Sequence, residues 1–136
     1  MPVHIDVRYQ GDLRCSAVHG PSGSALATDA PADNQGLAQT FSPTDLVATA
    51  IGACMLTVMG IYARPRNIPL DNAHASVAKE MTKTPPRRIE QLTVTLHLPV
   101  SLDAKTRSAL EQVAKACPVA ASLHPDVKVA VVFEYA

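Results

Sequence analysis

The longest apolar segment of the sequence runs from Phe41 to Arg64, and its pattern is that of a helix. Apolar side chains recur in it at alternating spacings of four and three residues, which places them on one helical face. The residues of this face are Val47, Ile51, Cys54, Val58 and Ile61. The opposite face, formed by Leu46, Ala50, Ala53 and Ala63, is also apolar. We therefore expect other parts of the protein to surround this helix on nearly all sides.

The start of this helix carries a recognisable capping pattern. Ser42 is a favourable N-cap, and Pro43 follows it at the first helical position, where a missing N–H costs nothing. Asp45 can return a hydrogen bond to the backbone of the cap. The uncharged stretch is about as long as the shortest transmembrane spans, but glycines and threonines dilute it and no aromatic belt flanks it. A long central buried helix of a soluble protein is the better interpretation.

Residues that alternate between apolar and polar predict strands on both sides of the helix. The predicted half-buried first strand contains Val3, Ile5 and Val7, and a turn at Gln10–Asp12 leads into a returning strand. The further predicted segments are a short strand over 24–28, a long hairpin over 73–82 and 89–98, a second helix capped by Ser101, and a last strand over 127–135. The predicted order β-β-(β)-α-β-β-α-β is that of an α+β fold, with antiparallel sheets packed on the central helix.

Composition and charge narrow the class of protein. The 136 residues suffice for a single domain over 1–136 with a substantial core. Lys and Arg together number 12, as do Asp and Glu, so no net field favours nucleic acid or an anionic membrane as a partner. No secretory signal is visible at the start, and a cytoplasmic protein is expected. The five histidines lack metal-binding spacing, so no metal site and no cofactor are expected.

The three cysteines are the main candidates for chemistry. Cys54, in the middle of the helix, would by itself be an inert apolar core residue, and Cys15 on a strand has the same interpretation. Cys117 precedes Pro118 and can lie at the N-terminus of a short helix near the surface, where backbone N–H groups favour a thiolate. The alternative hypothesis is that Cys54 and Cys117 meet as a peroxidatic and a resolving cysteine. That chemistry also needs a cation near the thiolate, for which Arg14 and Arg8 are the candidates.

Four motifs together resemble the OsmC/Ohr family of small thiol peroxidases, in a divergent OsmC-like branch. They are F-S-P-T-D-L-V-A-T-A-I-G-A-C-M-L-T-V-M-G, C-P-V-A-A-S-L, T-D-A-P-A-D-N and K-E-M-T-K-T-P-P-R-R-I. The resemblance implies an OsmC-like fold, an intertwined homodimer with active sites at the subunit interface, and reduction of organic hydroperoxides. It further implies that Cys54 is the peroxidatic cysteine, that Cys117 is the resolving cysteine, and that the reductant is a lipoyl-type dithiol carrier.

The sequence departs from the family pattern at one position. Peroxidases of the family carry a glutamate directly after the proline of the helix start, where it pairs with an arginine, but this chain has Thr44 there. The neighbouring acid, Asp45, lies on the opposite helical face from Cys54 and fits a helix cap better. The arginine has its counterpart in Arg14. Arg14 and Asp45 are therefore the candidate thiolate-stabilising residues.

Two other classes of function stay open at this point. The first is a binding or redox-sensing protein that keeps the scaffold and the paired thiols but has weak or no peroxidase activity, which the absent glutamate would explain. The second is a structural dimer in which the cysteines only fill the core. The three classes differ in how fast their thiols should react with a hydroperoxide.

Overall fold

A computed structural model describes all residues from 1 to 136. It divides into two compact units, an N-terminal unit, Met1–Leu46, and a C-terminal unit, Val47–Ala136. The elements follow in the order β-β-β-α-β-β-α-α-β, which confirms the predicted α+β class. That residues 1–136 act as a single domain stays a prediction.

The N-terminal unit is built on a three-stranded antiparallel sheet of β1 (Ile5–Gly11), β2 (Arg14–His19) and β3 (Ala25–Asp29), in that spatial order. Asp12 and Leu13 make the first turn with positive φ angles of 54° and 63°. The three strands and the turn lie where the sequence predicted them, because short hairpins are specified by local alternation and turn residues.

The predicted half-burial of the first strand is wrong for the single chain. The apolar residues of the first strand were expected to be half-buried, yet Ile5, Val7 and Tyr9 are 58%, 64% and 68% exposed. Alternation specifies which residues share a face, but it does not supply the layer that covers that face. No other part of this chain covers them.

Helix α1 (Pro43–Ala63) begins with the predicted capping box. The backbone N–H of Asp45 donates to Ser42 Oγ at 3.1 Å, and the N–H of Ser42 donates to Asp45 Oδ2 at 2.9 Å. The two bonds satisfy two of the donors that a helix start leaves unpaired. They therefore fix the register in which α1 presents its side chains.

The faces of α1 differ from the prediction. The buried stripe consists of Ala48, Ile51, Gly52, Met55, Met59 and Ala63. The opposite stripe of Thr49, Ala53, Thr57 and Ile61 is exposed, and Ile61 is 68% accessible. The expected envelopment of the helix on all sides is thus wrong within this chain. Because both faces are apolar or small, periodicity alone could not tell which of them packs on the sheet.

The C-terminal unit has a second three-stranded sheet, in the order β4 (His74–Met81), β5 (Ile89–Leu98), β6 (Lys128–Tyr135). Strands β4 and β5 form the predicted antiparallel hairpin, but β6 runs parallel to β5. The expectation of antiparallel sheets is wrong for this pair. Parallel neighbours need a crossover connection. Helices α2 (Ala104–Lys115) and α3 (Pro118–Ser122) lie in it.

The core of this unit lies between α1 and the central strand β5. Leu92, Val94 and Leu96 on β5 are fully buried, and they belong to one cluster with Ile51 and Met55 of α1. Helix α2 contributes buried residues at its centre and end. Asp103, not Ser101, caps α2: its carboxylate accepts the N–H of Thr106 at 2.8 Å. Asp103 lies directly before the first helical residue, where a cap must be.

Helix α1 approaches β4 closely at Gly52. A Cβ atom at that position would lie 2.9 Å from Val77 Cγ2, so the glycine allows the close contact. By length and composition, residues Pro43–Arg66 form one helix that could cross a membrane, a test that core helices of soluble proteins also pass. Because the buried stripe of α1 packs on β5, α1 is a core helix in this structure.

Candidate functional site

The C-terminal unit brings Cys54 and Cys117 together. Cys54 lies on α1 and Cys117 lies directly before α3, yet Cys54 is near enough to Cys117 to raise the pKa of the Cys117 thiol. Both thiols are free, and no disulfide joins them. The hypothesis of a peroxidatic and a resolving cysteine needs such proximity, because condensation of a sulfenic acid with a thiol requires the two sulfurs to meet.

The surroundings of Cys117 differ from the expectation. Cys117 is the N-cap of α3, as predicted, and its Sγ accepts the N–H of Ala120 at 3.4 Å. The residue is fully buried rather than close to the surface. Burial raises the pKa of the Cys117 thiol, and the neighbouring Cys54 raises that pKa further. The N–H groups of α3 oppose this shift but do not outweigh burial, so Cys117 is held as a neutral thiol.

Cys54 is the more accessible of the two. It is half-buried and lies on the border between the buried and the exposed stripes of α1, next to Met55 on one side and Ala53 on the other. The expectation of a fully buried thiol in the middle of an apolar stripe is therefore wrong. A half-buried cysteine close to a fully buried one can be reached by a solute from outside more easily than its neighbour.

A cavity of about 370 Å³ is lined by one residue of α1 and one of α3, although by neither cysteine. Met55 follows Cys54 in α1, and Ala120 is the residue whose N–H binds Cys117. Apart from Lys115 the lining is apolar, and it consists of Met55, Lys115, Ala120, Val129 and Val131. No sequence pattern singles out Lys115, because the crossover from β5 to β6 is what brings the end of α2 to this place.

Arg14 lies in a polar cluster of the N-terminal unit. Its Nη2 is 3.6 Å from Asp29 Oδ2 and also donates to Gln39 Oε1. Asp29 is almost fully buried, and its Oδ2 accepts the N–H of Gln39 at 3.1 Å. Sequence reasoning missed Asp29 and Gln39 as partners of Arg14. Asp29 belongs to the T-D-A-P-A-D-N motif, and that motif could have drawn attention to this residue.

The remaining candidates lie apart from this cluster or have other contacts. Asp45 takes part in the capping box of α1, in agreement with its interpretation as a helix cap. Arg8 is exposed on β1, and Cys15 is half-exposed on β2. Arg14 and Cys54 belong to different units of the chain. No group of three His, Cys, Asp or Glu side chains is arranged to hold a metal ion.

Comparisons with known proteins identify the family. Residues 35–132 match the family described as OsmC-like protein. A solved structure from Psychrobacter arcticus 273-4, provisionally named an osmotic stress induced and detoxification response protein, shares 44% identity with a TM-score of 0.90. That match covers 95% of this chain and 93% of the other. A comparison with curated proteins gives no match.

Two more distant structures share the fold. An organic hydroperoxide resistance protein OsmC of Legionella pneumophila is 16% identical, with a TM-score of 0.77 over 98% of this chain and 97% of the other. The organic hydroperoxide resistance protein OhrB of Bacillus subtilis is 17% identical, with a TM-score of 0.72 over 98% of each chain. These matches confirm the OsmC-like fold that the motifs predicted. Since the family match spans most of the sequence, the chain belongs to the OsmC-like protein family.

Proposed function

We propose that this protein is a thiol peroxidase that reduces organic hydroperoxides, with Cys54 as the attacking cysteine and Cys117 as the resolving cysteine. The observation that carries the proposal is the proximity of a half-buried cysteine, Cys54, to a fully buried one, Cys117. Membership of a family that includes organic hydroperoxide resistance proteins supports the same class of substrate.

The first step is attack of the Cys54 thiolate on the distal oxygen of the hydroperoxide. The O–O bond breaks as the S–O bond forms, Cys54 becomes a sulfenic acid, and the other oxygen leaves with a proton as an alcohol. Burial raises the pKa of the Cys117 thiol, so Cys117 stays neutral while Cys54 attacks.

The second step joins the two sulfurs. The Cys117 sulfur attacks the Cys54 sulfenic acid, an S–S bond replaces the S–O bond, and water leaves with the Cys117 proton. A dithiol reductant, for which we propose a lipoyl-type carrier, then reduces the disulfide by exchange through a mixed disulfide. Cys54 and Cys117 return to free thiols while the carrier becomes a disulfide, so electrons and protons balance over the cycle.

The substrate would enter beside an apolar wall. The cavity of about 370 Å³ presents Met55, Val129 and Val131, and such apolar side chains suit the organic part of an alkyl or aryl hydroperoxide better than hydrogen peroxide. Arg14 is proposed as the cation that stabilises the Cys54 thiolate. This role requires its guanidinium, from the same chain or from a partner subunit, to reach the sulfur.

The exposed apolar residues support a homodimer as the active form. The face of β1 formed by Ile5, Val7 and Tyr9 and the stripe of α1 around Ile61 are uncovered in the single chain. Contiguous exposed apolar surface is typical of an interface, and a second copy of the chain is the occupant we propose.

Replacement of Cys54 tests the proposal, with Cys15 as the matched control. Cys54→Ser should abolish turnover of cumene hydroperoxide with dihydrolipoamide, whereas Cys15→Ser should keep the wild-type rate, because Cys15 has no thiol partner. Wild-type protein should lose two thiols per chain when peroxide is added without reductant. An unchanged rate in Cys54→Ser would refute the assignment. Thiols that react with peroxide no faster than free cysteine would instead favour the binding protein.

A further inference from the structure

A disulfide between Cys54 and Cys117 would offer an incoming thiol two sulfurs, and the chain exposes these two cysteines unequally. Cys117 is fully buried, whereas Cys54 is half-buried. Cleavage of a disulfide by exchange begins when a thiolate attacks one of its two sulfurs, and the rate depends on access to the sulfur that is attacked. A thiolate from outside therefore has a route to Cys54 that it lacks to Cys117.

The neighbours of Cys54 along α1 leave room for such an approach. Ala53 precedes it and is exposed, and Thr57, one turn further along the same face, is exposed as well. The hydroxyl of Thr57 donates to the carbonyl of Ala53 at 2.7 Å, so this side chain is turned toward its own helix. Both side chains are short and uncharged. This border of α1 thus favours the entry of a thiolate carried on a flexible arm.

Cys117 is enclosed by the core and tied to two helices. It belongs to the cluster of buried residues that α1, β5 and α2 form. Its N–H donates to the carbonyl of Ala114 at 3.3 Å, and its carbonyl accepts the N–H of Ala121 at 3.1 Å. These bonds hold Cys117 between the end of α2 and the first turn of α3. A thiolate could touch its sulfur only after local opening of this region, which costs free energy.

The start of α3 faces the sulfur that would leave. The N–H of Ala120 donates to Cys117 Sγ at 3.4 Å and acts to lower the pKa of that thiol, but burial outweighs it and the pKa is raised. A thiol with a raised pKa leaves a disulfide more slowly, so this effect opposes attack on Cys54. Access decides between the two effects, because a sulfur that no thiolate can touch is not attacked whatever group would leave.

We propose that the dithiol reductant attacks the sulfur of Cys54 and that Cys117 is the leaving group, received by the first turn of α3. The inference rests on the proposed function, since it needs the disulfide between these cysteines. An S–S bond from the carrier to Cys54 forms while the bond between the two cysteines breaks, and Cys117 leaves with the electron pair and takes up a proton. The carrier's second thiolate then attacks the carrier's own sulfur, Cys54 leaves as a thiol, and the carrier becomes a cyclic disulfide.

A monothiol analogue of the reductant tests which sulfur is attacked. The variant Cys15→Ser removes the third thiol, which has no part in the proposed reaction. Diamide then joins the remaining two thiols and is itself reduced to a hydrazine, so no hydroperoxide is needed. Dihydrolipoamide with one sulfur methylated can form the mixed disulfide but cannot complete the exchange. After a brief reaction, free thiols are blocked with N-ethylmaleimide in denaturant, and the peptides are mapped by mass spectrometry. We expect the analogue on Cys54 and the maleimide on Cys117, in about 10-fold excess over the reverse arrangement.

Two matched variants test whether access is the cause. In the Cys15→Ser background, Cys117→Ser leaves Cys54 as the single thiol, and Cys54→Ser leaves Cys117. In the reduced, folded protein, Cys54 should react with dithiobis-nitrobenzoate at least about 10-fold faster than Cys117, because a buried thiol reacts only after local opening. In denaturant the two thiols should react alike. Circular dichroism shows whether each variant is folded, and the peptide map of Cys15→Ser decides alone if one is not.

Three results would overturn the inference. They are an analogue found on Cys117 or equally on both cysteines, equal rates of the two single thiols in the folded variants, and failure of diamide to join Cys54 and Cys117. The proposed function fails separately, when Cys54 does not react with cumene hydroperoxide although diamide forms the disulfide. The peptide map would then still identify the sulfur that a thiol attacks.

Discussion

Cys117 lies beside Cys54, and the two residues differ sharply in exposure. Cys117 is fully buried at the start of α3, and Cys54 is half-exposed on α1. A solute that comes from outside therefore meets Cys54 first. The burial that raises the pKa of Cys117 also makes it a poor nucleophile toward a solute, so the geometry favours one order of roles over the other.

Replacement of Cys117 should separate the two chemical steps. In Cys117→Ser, Cys54 should still reduce about one equivalent of hydroperoxide, because the serine hydroxyl can donate a hydrogen bond to the sulfur but cannot form a disulfide. Turnover with a dithiol should then fall sharply. Stopped-flow kinetics would show a single burst, and dimedone labelling with mass spectrometry would place the sulfenic acid on Cys54. A sulfenic acid on another cysteine would contradict the assigned roles.

Local elements could be predicted from the sequence with good bounds. The capping box of α1 was predictable because Ser42 and Asp45 exchange hydrogen bonds across only three residues of sequence. The strands of the two hairpins were predictable because alternation and turn residues act over short distances. The start of α2 was missed by a few residues, since Ser101 and Asp103 are both good caps and only the structure chooses Asp103.

Non-local relations could not be predicted in the same way. The parallel pairing of β6 with β5 depends on the path of α2 and α3, which no short pattern encodes. The burial of Cys117 depends on α1 and β5 closing over it, so local reasoning placed it at the surface. Asp29 was overlooked because a single acid in a turn-rich loop has the pattern of a solvated residue, whereas β-pairing places it opposite Arg14.

The stability of the reduced protein should fall at alkaline pH. A thiol whose pKa is raised in the folded state stays neutral there while the unfolded chain ionises. The contribution of Cys117 is therefore complete below about pH 8.5, the ordinary thiol value, and is lost as the pH rises toward the raised pKa. Urea unfolding under reducing conditions at about pH 7.5 and at about pH 9.5, on either side of the ordinary thiol pKa, would measure the loss.

Two variants assign this loss to its sources. Cys117→Ala should remove most of the change in unfolding free energy between those two pH values. Tyr135 has a raised pKa because of burial and its hydrogen bond to Glu111, so it contributes with the same sign at pH values above about 10. Tyr135→Phe should flatten only that later part of the profile. A slope near pH 9, roughly where thiols ionise, that persists in Cys117→Ala would contradict the interpretation.

The two glycines of α1 should respond in opposite ways to alanine. At Gly60 an added Cβ meets nothing within 4 Å, so Gly60→Ala should gain helix propensity of up to about 1 kcal/mol. At Gly52 the Cβ would lie 2.9 Å from Val77, a stiff β-branched side chain, so Gly52→Ala should destabilise despite the same gain. Chemical denaturation of the two variants would give the comparison. Equal stabilisation by both would mean that α1 does not approach β4 as described.

The exposed face of β1 should be required for dimer formation. Val7 is 64% exposed on the same face as Ile5 and Tyr9, and Asp6 lies on the opposite face of the strand. Val7→Lys would place a charge in the proposed interface, where desolvation is costly, and should yield monomers. Asp6→Lys introduces the same side chain on the other face and should leave the dimer intact. Light scattering after size exclusion would measure both masses. If Val7→Lys stays dimeric, a second copy does not cover this face, and the exposed apolar residues of β1 need another occupant.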